Sequence, residues 1–458
     1  MQFTKTSFRQ KIMLACTLLL LFSFGMVMLR VATVQIGVKK LHWDNLWTQT
    51  VLADNMTLRQ SKPTHRSDAI TIDWRSLYPF TDTDGQAVEQ RAPQNTLTTK
   101  LANGKKKIDR WTNENFLAYN HIVLLNNYYK NAICWNITPF TEYNAVVKLP
   151  GDNQLVEFQE KRDMTDRIQA VTEFSQYCQE HGINFVMILA PSKIARDEVY
   201  SGTVDFSNQN GDAFIAGLKH NGVAYIDLRD ELIADDLNQH DMFYRTDHHW
   251  TAGSGLWATG KIANFLNDHY GYSADLSLLS ATAYDTTTYY HWYLGSRGEK
   301  ITEVRAALDD FTLYYPKFRT DVHIQVPTLQ VDRQGAFPVM YNMKRLLASN
   351  VNGKEKPYST DAYAAYAYGR QAACSIHNNL KPDGHRMLLI YDSFANVVRP
   401  FLALGMEDLD SIDLRQFDGS LKTYIQDTQP DTIGILYYIE ELNEKPTQNP
   451  HLSLFNFQ

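Results

Sequence analysis

The chain has 458 residues, of which 44% are hydrophobic and 21% charged, a globular balance that excludes a disordered or fibrous protein. Its formal net charge of -7 excludes the basic domain that nucleic-acid binding normally requires; the basic run at Lys105, Lys106 and Lys107 reads as a solvated face or linker. The four cysteines, Cys16, Cys134, Cys178 and Cys374, show no CxxC spacing, which excludes a disulfide framework or a zinc ribbon.

Residues 12–29, IMLACTLLLLFSFGMVML, carry no charge and follow Lys5, Arg9 and Lys11. A helix needs about 20 apolar residues to cross a bilayer, and VATVQI at 31–36 extends the run. No small-x-small cleavage site follows. Residues 1–36 therefore read as a short cytoplasmic tail and an uncleaved signal anchor. Residues 37–130 form an extracytoplasmic stalk, polar and broken by Pro63, Pro79 and Pro93, with a helix expected over 111–129. The three cysteines beyond the anchor read as small buried hydrophobes, with one disulfide or a catalytic thiol as alternatives.

From 131 to 458 strands and helices alternate. Thr165 to His181 is amphipathic and Gly182 is placed to stop it. NFVMILA at 184–190 is a strand buried on both faces. Helix 213–219, strand 223–228 and helix 251–269 follow. Residues 275–380 break the rhythm and read as a β-rich insert or lid, with strands at 311–315, 322–326 and 339–342. The alternation resumes with strand 387–391, helix 394–404, strand 411–414, helix 421–427 and strand 432–438. The pattern predicts an α/β fold with a mostly parallel sheet, whose ligands bind at the carboxyl ends of the strands.

Two clusters fall there. Asp392 and Ser393 follow the strand MLLIY and precede a helix. The Ser393 hydroxyl can face the cleft beside helix N-terminal N–H groups, which suit an oxyanion. The plainer reading of the position alone is that Asp392 or Ser393 simply caps the helix. The second cluster is Arg245-Thr246-Asp247-His248-His249-Trp250-Thr251. A serine needs a base to take its proton, and histidine suits. A carboxylate on the other ring nitrogen fixes the tautomer, so Asp247 can orient His249 through an Asx-type turn. The plainer alternative is that Asp247 or Thr251 caps the next helix. A zinc site from His240, Asp241, Asp247, His248 and His249 is a third, although HExxH-type spacing is absent. The aromatic run Tyr289 to Tyr293, followed by Gly295-Ser296-Arg297-Gly298, is either a sugar-stacking surface with Arg297 reaching a polar substrate, or aromatic packing.

Taken together, TDHHWT at 246–251 and YDSF at 391–394 resemble the DHHW proteins of Gram-positive bacteria. These are related to the alginate O-acetylation proteins AlgJ and AlgX of the SGNH hydrolase-like superfamily. ILAPSK at 188–193, YIDLRDEL at 225–232, GSRG at 295–298, DLRQF at 413–417 and YIQDTQPDTIGILYY at 424–438 share in the resemblance. It implies a three-layer α/β/α domain with a Ser393–His249–Asp247 triad, and an arginine, Arg415, lining the pocket. Arg297, Tyr293 and Lys193 are further candidates for oxyanion or substrate binding. The implied activity is extracytoplasmic O-acyl transfer, most simply O-acetyl transfer, to a cell-surface or secreted polysaccharide. A carbohydrate esterase with the same triad, or a non-catalytic scaffold subunit, are the alternatives. Neither metal nor soluble cofactor is required. The implied partners are the polysaccharide acceptor and a multipass membrane O-acyltransferase that delivers the acyl group, with the chain itself single-pass in a bacterial cell membrane. Tyr391 stands where the esterase pattern has glycine.

Overall fold

The computed structural model describes residues 146–149, 153–198, 205–301, 306–347, 361–443 and 452–457. The expected anchor, stalk and helix 111–129 lie outside them, as do Cys16 and Cys134. Among the described residues no helix is long and apolar enough to cross a membrane. The elements that follow belong to one compact unit, Ile137–Gly298 with Ala306–Gln458.

A short antiparallel hairpin of β1 (Val146–Lys148) and β2 (Leu155–Glu157) comes first. Then α1 (Thr165–Glu180) buries Val171, Phe174 and Cys178 along one stripe, and Gly182 follows its end at φ 71°. Strand β3 (Asn184–Ala190) is buried from its second residue onward. Helix α2 (Ser207–His220), strand β4 (Tyr225–Asp227) and helix α3 (Leu228–Ala234) follow, and α4 (Ala252–Tyr270) ends on Gly271 in the left-handed region. The β-rich stretch supplies β5 (Tyr284–Tyr293), β6 (Asp309–Pro316), β7 (Val322–Val326), β8 (Val331–Gly335) and β9 (Ala373–Asn378). The chain closes with β10 (Arg386–Tyr391), β11 (Asp408–Ile412), helix α5 (Leu421–Thr428) and β12 (Thr432–Tyr438).

The main sheet has eight strands in the order β4-β3-β12-β10-β11-β9-β7-β8. The first five run parallel, and β9, β7 and β8 follow, each antiparallel to the strand before it in the sheet. The sheet is thus mixed, parallel through its first five strands and antiparallel at one end, and the β-rich stretch is not wholly a separate insert. Part of it extends the main sheet, and among its described residues β5 and β6 pair apart from it. The burial patterns give the reason. Strands β3, β10 and β12 are buried almost without interruption, as strands covered on both faces must be, whereas β7 and β9 alternate buried with partly exposed, the pattern of antiparallel strands with one open face.

Two further expectations change. The 339–342 strand is a 3-10 turn over Phe337–Met340, with one isolated bridge from Tyr341 to Tyr366. The single helix over 394–404 is broken into a 3-10 turn, Ser393–Val397, and a new helical turn, Arg399–Leu402, with Pro400 in its first turn. Proline lacks an N–H and fits only the start of a helix, so the helix restarts there. Cys178 and Cys374 are free and buried.

Helix α4 packs directly on the turn after β10. A Cβ at Gly255 would lie 2.4 Å from Val397 Cγ2 and 2.6 Å from its carbonyl oxygen, whereas one at Gly260 meets nothing within 4 Å. Gly255→Ala is therefore expected to destabilise by about 1–3 kcal/mol through overpacking. Gly260→Ala in the same helix should stabilise by about 0.5–1 kcal/mol through lost chain entropy. Urea denaturation of both variants measures the two opposite signs.

Candidate active site

The segment between β4 and α4 folds back on itself. Phe243 and Trp250 pair across an antiparallel bridge, the Thr251 N–H donates to the Met242 carbonyl at 2.9 Å, and the Tyr244 N–H donates to the His249 carbonyl at 3.1 Å. The Thr251 hydroxyl caps α4 by accepting from the Ser254 N–H at 3.2 Å. Thr251 takes the capping role, which leaves the Asp247 carboxylate for the ring. Asp309 anchors the loop from β6, accepting from the backbone N–H of Arg245 and from both the N–H and hydroxyl of Thr246.

The turn after β10 divides its labour in the same way. Asp392 is the cap, accepting from the Phe394 N–H at 2.9 Å through one oxygen and from the Tyr438 N–H through the other. Ser393 is left to face the loop. Its Oγ lies 2.7 Å from His249 Nε2, and His249 Nδ1 lies 2.7 Å from Asp247 Oδ2. The three side chains meet although Ser393 and His249 stand 144 positions apart in sequence. Two donors hold the turn, one of them from this loop. Trp250 Nε1 donates to the Phe394 carbonyl at 2.9 Å, and the Tyr363 hydroxyl donates to the same carbonyl at 3.3 Å. The Tyr363 ring also stacks on His249, with centroids 4.0 Å apart and planes 19° apart.

Asp247 is almost wholly enclosed. Its Oδ2 accepts from His249 and from the Tyr293 hydroxyl; its Oδ1 accepts from the Ser296 hydroxyl at 2.7 Å, the Ser296 N–H at 3.1 Å and the His248 N–H at 2.9 Å. The bond to His248 is to the next residue, so no Asx-type turn forms; the side chain reaches the His249 ring directly. Burial would raise the Asp247 pKa, but the His249 and His248 imidazoles and their hydrogen bonds overcome it and hold the carboxyl well below the usual range. Asp392 goes the other way. Burial and the charge of Glu441 push it up to about 7, against the opposing pull of Arg415.

The four candidates for oxyanion or substrate binding are supports of this site, a correction to the sequence reading. Lys193 is buried, its Nζ donating to the carbonyls of Leu155 at 3.1 Å and Arg245 at 3.0 Å; burial, with Arg297 nearby, holds its ammonium well below the usual lysine range. Arg297 is buried against Glu440 at 2.8 Å and the Leu155 carbonyl. Tyr293 is buried with its hydroxyl on Asp247. The Arg415 guanidinium holds Asp413 through Nε and Nη2 and Glu441 through Nη1 at 2.8 Å. In each case a cation or hydroxyl inside a buried site finds its partner within the protein.

The five expected metal ligands do not gather into one group. Among the described residues Asp247, His248 and His249 bring donor atoms together, whereas His240 pairs with Glu198 at 3.0 Å. Within the triplet, Asp247 oxygens and His249 Nδ1 are already joined to each other. A second group, His377, Glu407 and Asp408, is paired with Arg386. The residues that sequence reasoning missed are Ser296, Tyr363 and Asp309. Gly295 held a signal for the first: a Cβ there would lie 2.1 Å from Asp247 Cβ, so GSRG is a close-approach motif that delivers Ser296 to the carboxylate.

Residues 150–290 match the family model of the SGNH hydrolase-like domain of the acetyltransferase AlgX, a span that includes Asp247 and His249 and ends before Ser393. No curated protein matches the sequence. Among solved structures, PatB1 of Bacillus cereus aligns with a TM-score of 0.55 at 22% identity, over 68% of this chain and 100% of its own. The same protein with a sulfonyl adduct gives 0.54 at 21% identity, over 68% and 99%. A DHHW family protein from Eubacterium siraeum gives 0.52 at 16% identity, over 68% and 97%. The chain thus resembles AlgX in a stretch of its sequence and the DHHW protein in its fold, as its motifs suggested.

Asp247→Asn would set an amide against donors only. A loss of about 2–4 kcal/mol at pH 7 is expected, as for other breaks in buried polar networks. The folded-state pKa of Asp247 is depressed, so its contribution is present above the ordinary carboxylate range and lost as pH falls through the folded value. The gap between wild type and variant should therefore narrow below about pH 4, which urea denaturation at pH 7 and pH 3 measures.

Proposed function

We propose that this chain is an O-acyltransferase that carries an acyl group, most simply acetyl, on Ser393 and passes it to a hydroxyl of a polysaccharide outside the cell. One observation carries the reading: the continuous chain of contacts from Ser393 Oγ through the His249 ring to the Asp247 carboxylate. The sequence match to the AlgX acetyltransferase domain supports the reaction class.

Each residue then has a part. His249 Nε2 takes the Ser393 proton as Oγ attacks the donor carbonyl. Asp247 keeps the proton of His249 on Nδ1 and stabilises the imidazolium that forms. The Ser393 backbone N–H, at the first position of its turn, is the oxyanion donor assigned here. The proton on His249 is returned to the leaving group, and an acyl-enzyme remains. A sugar hydroxyl reverses the sequence in the second half. Coenzyme A esters do not cross membranes freely, so we assign the donor side to a multipass membrane O-acyltransferase, with residues 12–29 holding this chain beside it. Metal and soluble cofactor have no part in these steps.

The test is mass spectrometry of the intact protein after exposure to an acetyl ester. The wild type should gain one acetyl group, Ser393→Ala none, and His249→Ala should acylate about 10²–10⁴-fold more slowly. A sulfonyl fluoride should label the wild type and spare Ser393→Ala, in keeping with the sulfonyl adduct of the PatB1 structure. Equal acylation of wild type and Ser393→Ala sinks the reading. Release of the acetyl group to water alone, with every sugar acceptor refused, makes the protein an esterase instead.

A further inference from the structure

His248 has no part in the reaction so far, yet it is tied to the same carboxylate. Its Nδ1 lies 2.9 Å from Ser296 Oγ and 3.0 Å from Asp247 Oδ1, and Ser296 Oγ lies 2.7 Å from Asp247 Oδ1. A hydroxyl that close to a carboxylate donates its proton to it, so Ser296 has none left for the ring. We therefore assign the His248 proton to Nδ1, which leaves Nε2 of the neutral imidazole as a bare acceptor. The neutral state is favoured by burial and by the adjacent imidazole, which push the His248 pKa down to about 4. Nε2 makes no hydrogen bond among the described residues and is not among their sealed, unpartnered polar atoms. The His248 side chain is 29% exposed, against 11% for His249 and 1% for Asp247. Its ring centre lies 3.8 Å from that of His249, with the planes tilted by 37°. One buried carboxylate thus holds two imidazoles, one turned to Ser393 and the other offering a lone pair close by.

We propose that His248 is a positioning residue for the acceptor: its Nε2 accepts a hydrogen bond from the hydroxyl next to the one acylated, so the site favours a vicinal diol over a lone hydroxyl or water. This rests on the acyl-transfer reading above. In the step itself the acceptor oxygen bonds to the acyl carbon while its proton passes to His249 Nε2. The bond from that carbon to Ser393 Oγ then breaks, and Oγ takes the proton from His249. His248 gains and loses nothing. Vicinal hydroxyls are neighbours on a sugar ring, and the two imidazoles, with ring centres 3.8 Å apart, are neighbours in the site.

The test uses the full chain with 4-nitrophenyl acetate as donor and compares 1,2-propanediol with 1-propanol as acceptor, with free acetate as the measure of water attack. The wild type should favour the diol about tenfold, the worth of one good hydrogen bond. His248→Ala should erase that preference, and His248→Gln, whose amide oxygen can accept, should restore part of it. A wild type that does not discriminate diol from alcohol overturns the proposal. So does a His248→Ala protein whose transfer to diol, alcohol and water falls by one common factor, since His248 would then only brace its neighbours. If the wild type forms no acetyl-enzyme at all, the acyl-transfer reading fails first, and the intact mass shows that before any acceptor is added.

Discussion

A carboxylate removed from water must find donors or take up a proton, and Asp247 finds donors on every side. His249 and Tyr293 meet one oxygen; Ser296 and the His248 backbone meet the other. These donors come from two separate stretches: the loop before α4, and the end of β5 with the turn at Gly295 and Ser296 that follows it. The charge therefore does more than orient one imidazole. It is the common acceptor that makes the two stretches agree on one arrangement, and its depressed pKa reports that agreement. Few groups can hold so many donors at once, and a neutral side chain here would leave several of them unsatisfied.

The sheet order explains how so distant a pair comes together. Strand β10 lies inside the parallel group, between β12 and β11, so the turn after it opens at the carboxyl edge where such sheets bind ligands. The loop that carries Asp247 and His249 leads into α4, and α4 lies on the Ser393 turn closely enough that Gly255 cannot carry a side chain. Trp250 and Tyr363 then fasten both sides to one atom, the carbonyl of Phe394. The hydroxyl and the ring are thereby located by backbone contacts next to them, which gives the precision that a proton transfer over one hydrogen bond demands.

Much of this was legible in the residues, and the misses share a cause. Continuous apolar runs such as NFVMILA and TIGILYY announced buried strands with their limits correct, because strands covered on both faces leave little room for polar residues. Ser393, His249 and Asp247 were legible from chemistry plus resemblance. The alternating VHIQV and ACSIHN were taken for part of an insert, although alternation is what antiparallel strands with one open face show. The cations failed differently. Lys193, Arg297 and Arg415 looked free to meet a substrate, but their partners, Leu155, Glu440 and Glu441, lie far along the chain or across a turn. Residue type shows that a buried cation needs acceptors; only the fold shows which ones.

Asp247 and Asp392 show why burial alone does not decide a charge. Both are buried, and both accept from backbone N–H groups. Asp247 has two imidazoles beside it and is pushed down; Asp392 has Glu441 beside it, only partly offset by Arg415, and is pushed up to about 7. In the proposed reaction the difference has a sense. Negative charge is wanted on the far side of His249, where an imidazolium forms, and unwanted next to Ser393, where an oxyanion forms. A carboxyl beside the serine whose pKa is raised carries less negative charge there. Arg415, expected to touch substrate, acts on the site through this balance: Asp413 and Glu441 hold it in place, and its charge limits how far the Asp392 pKa rises.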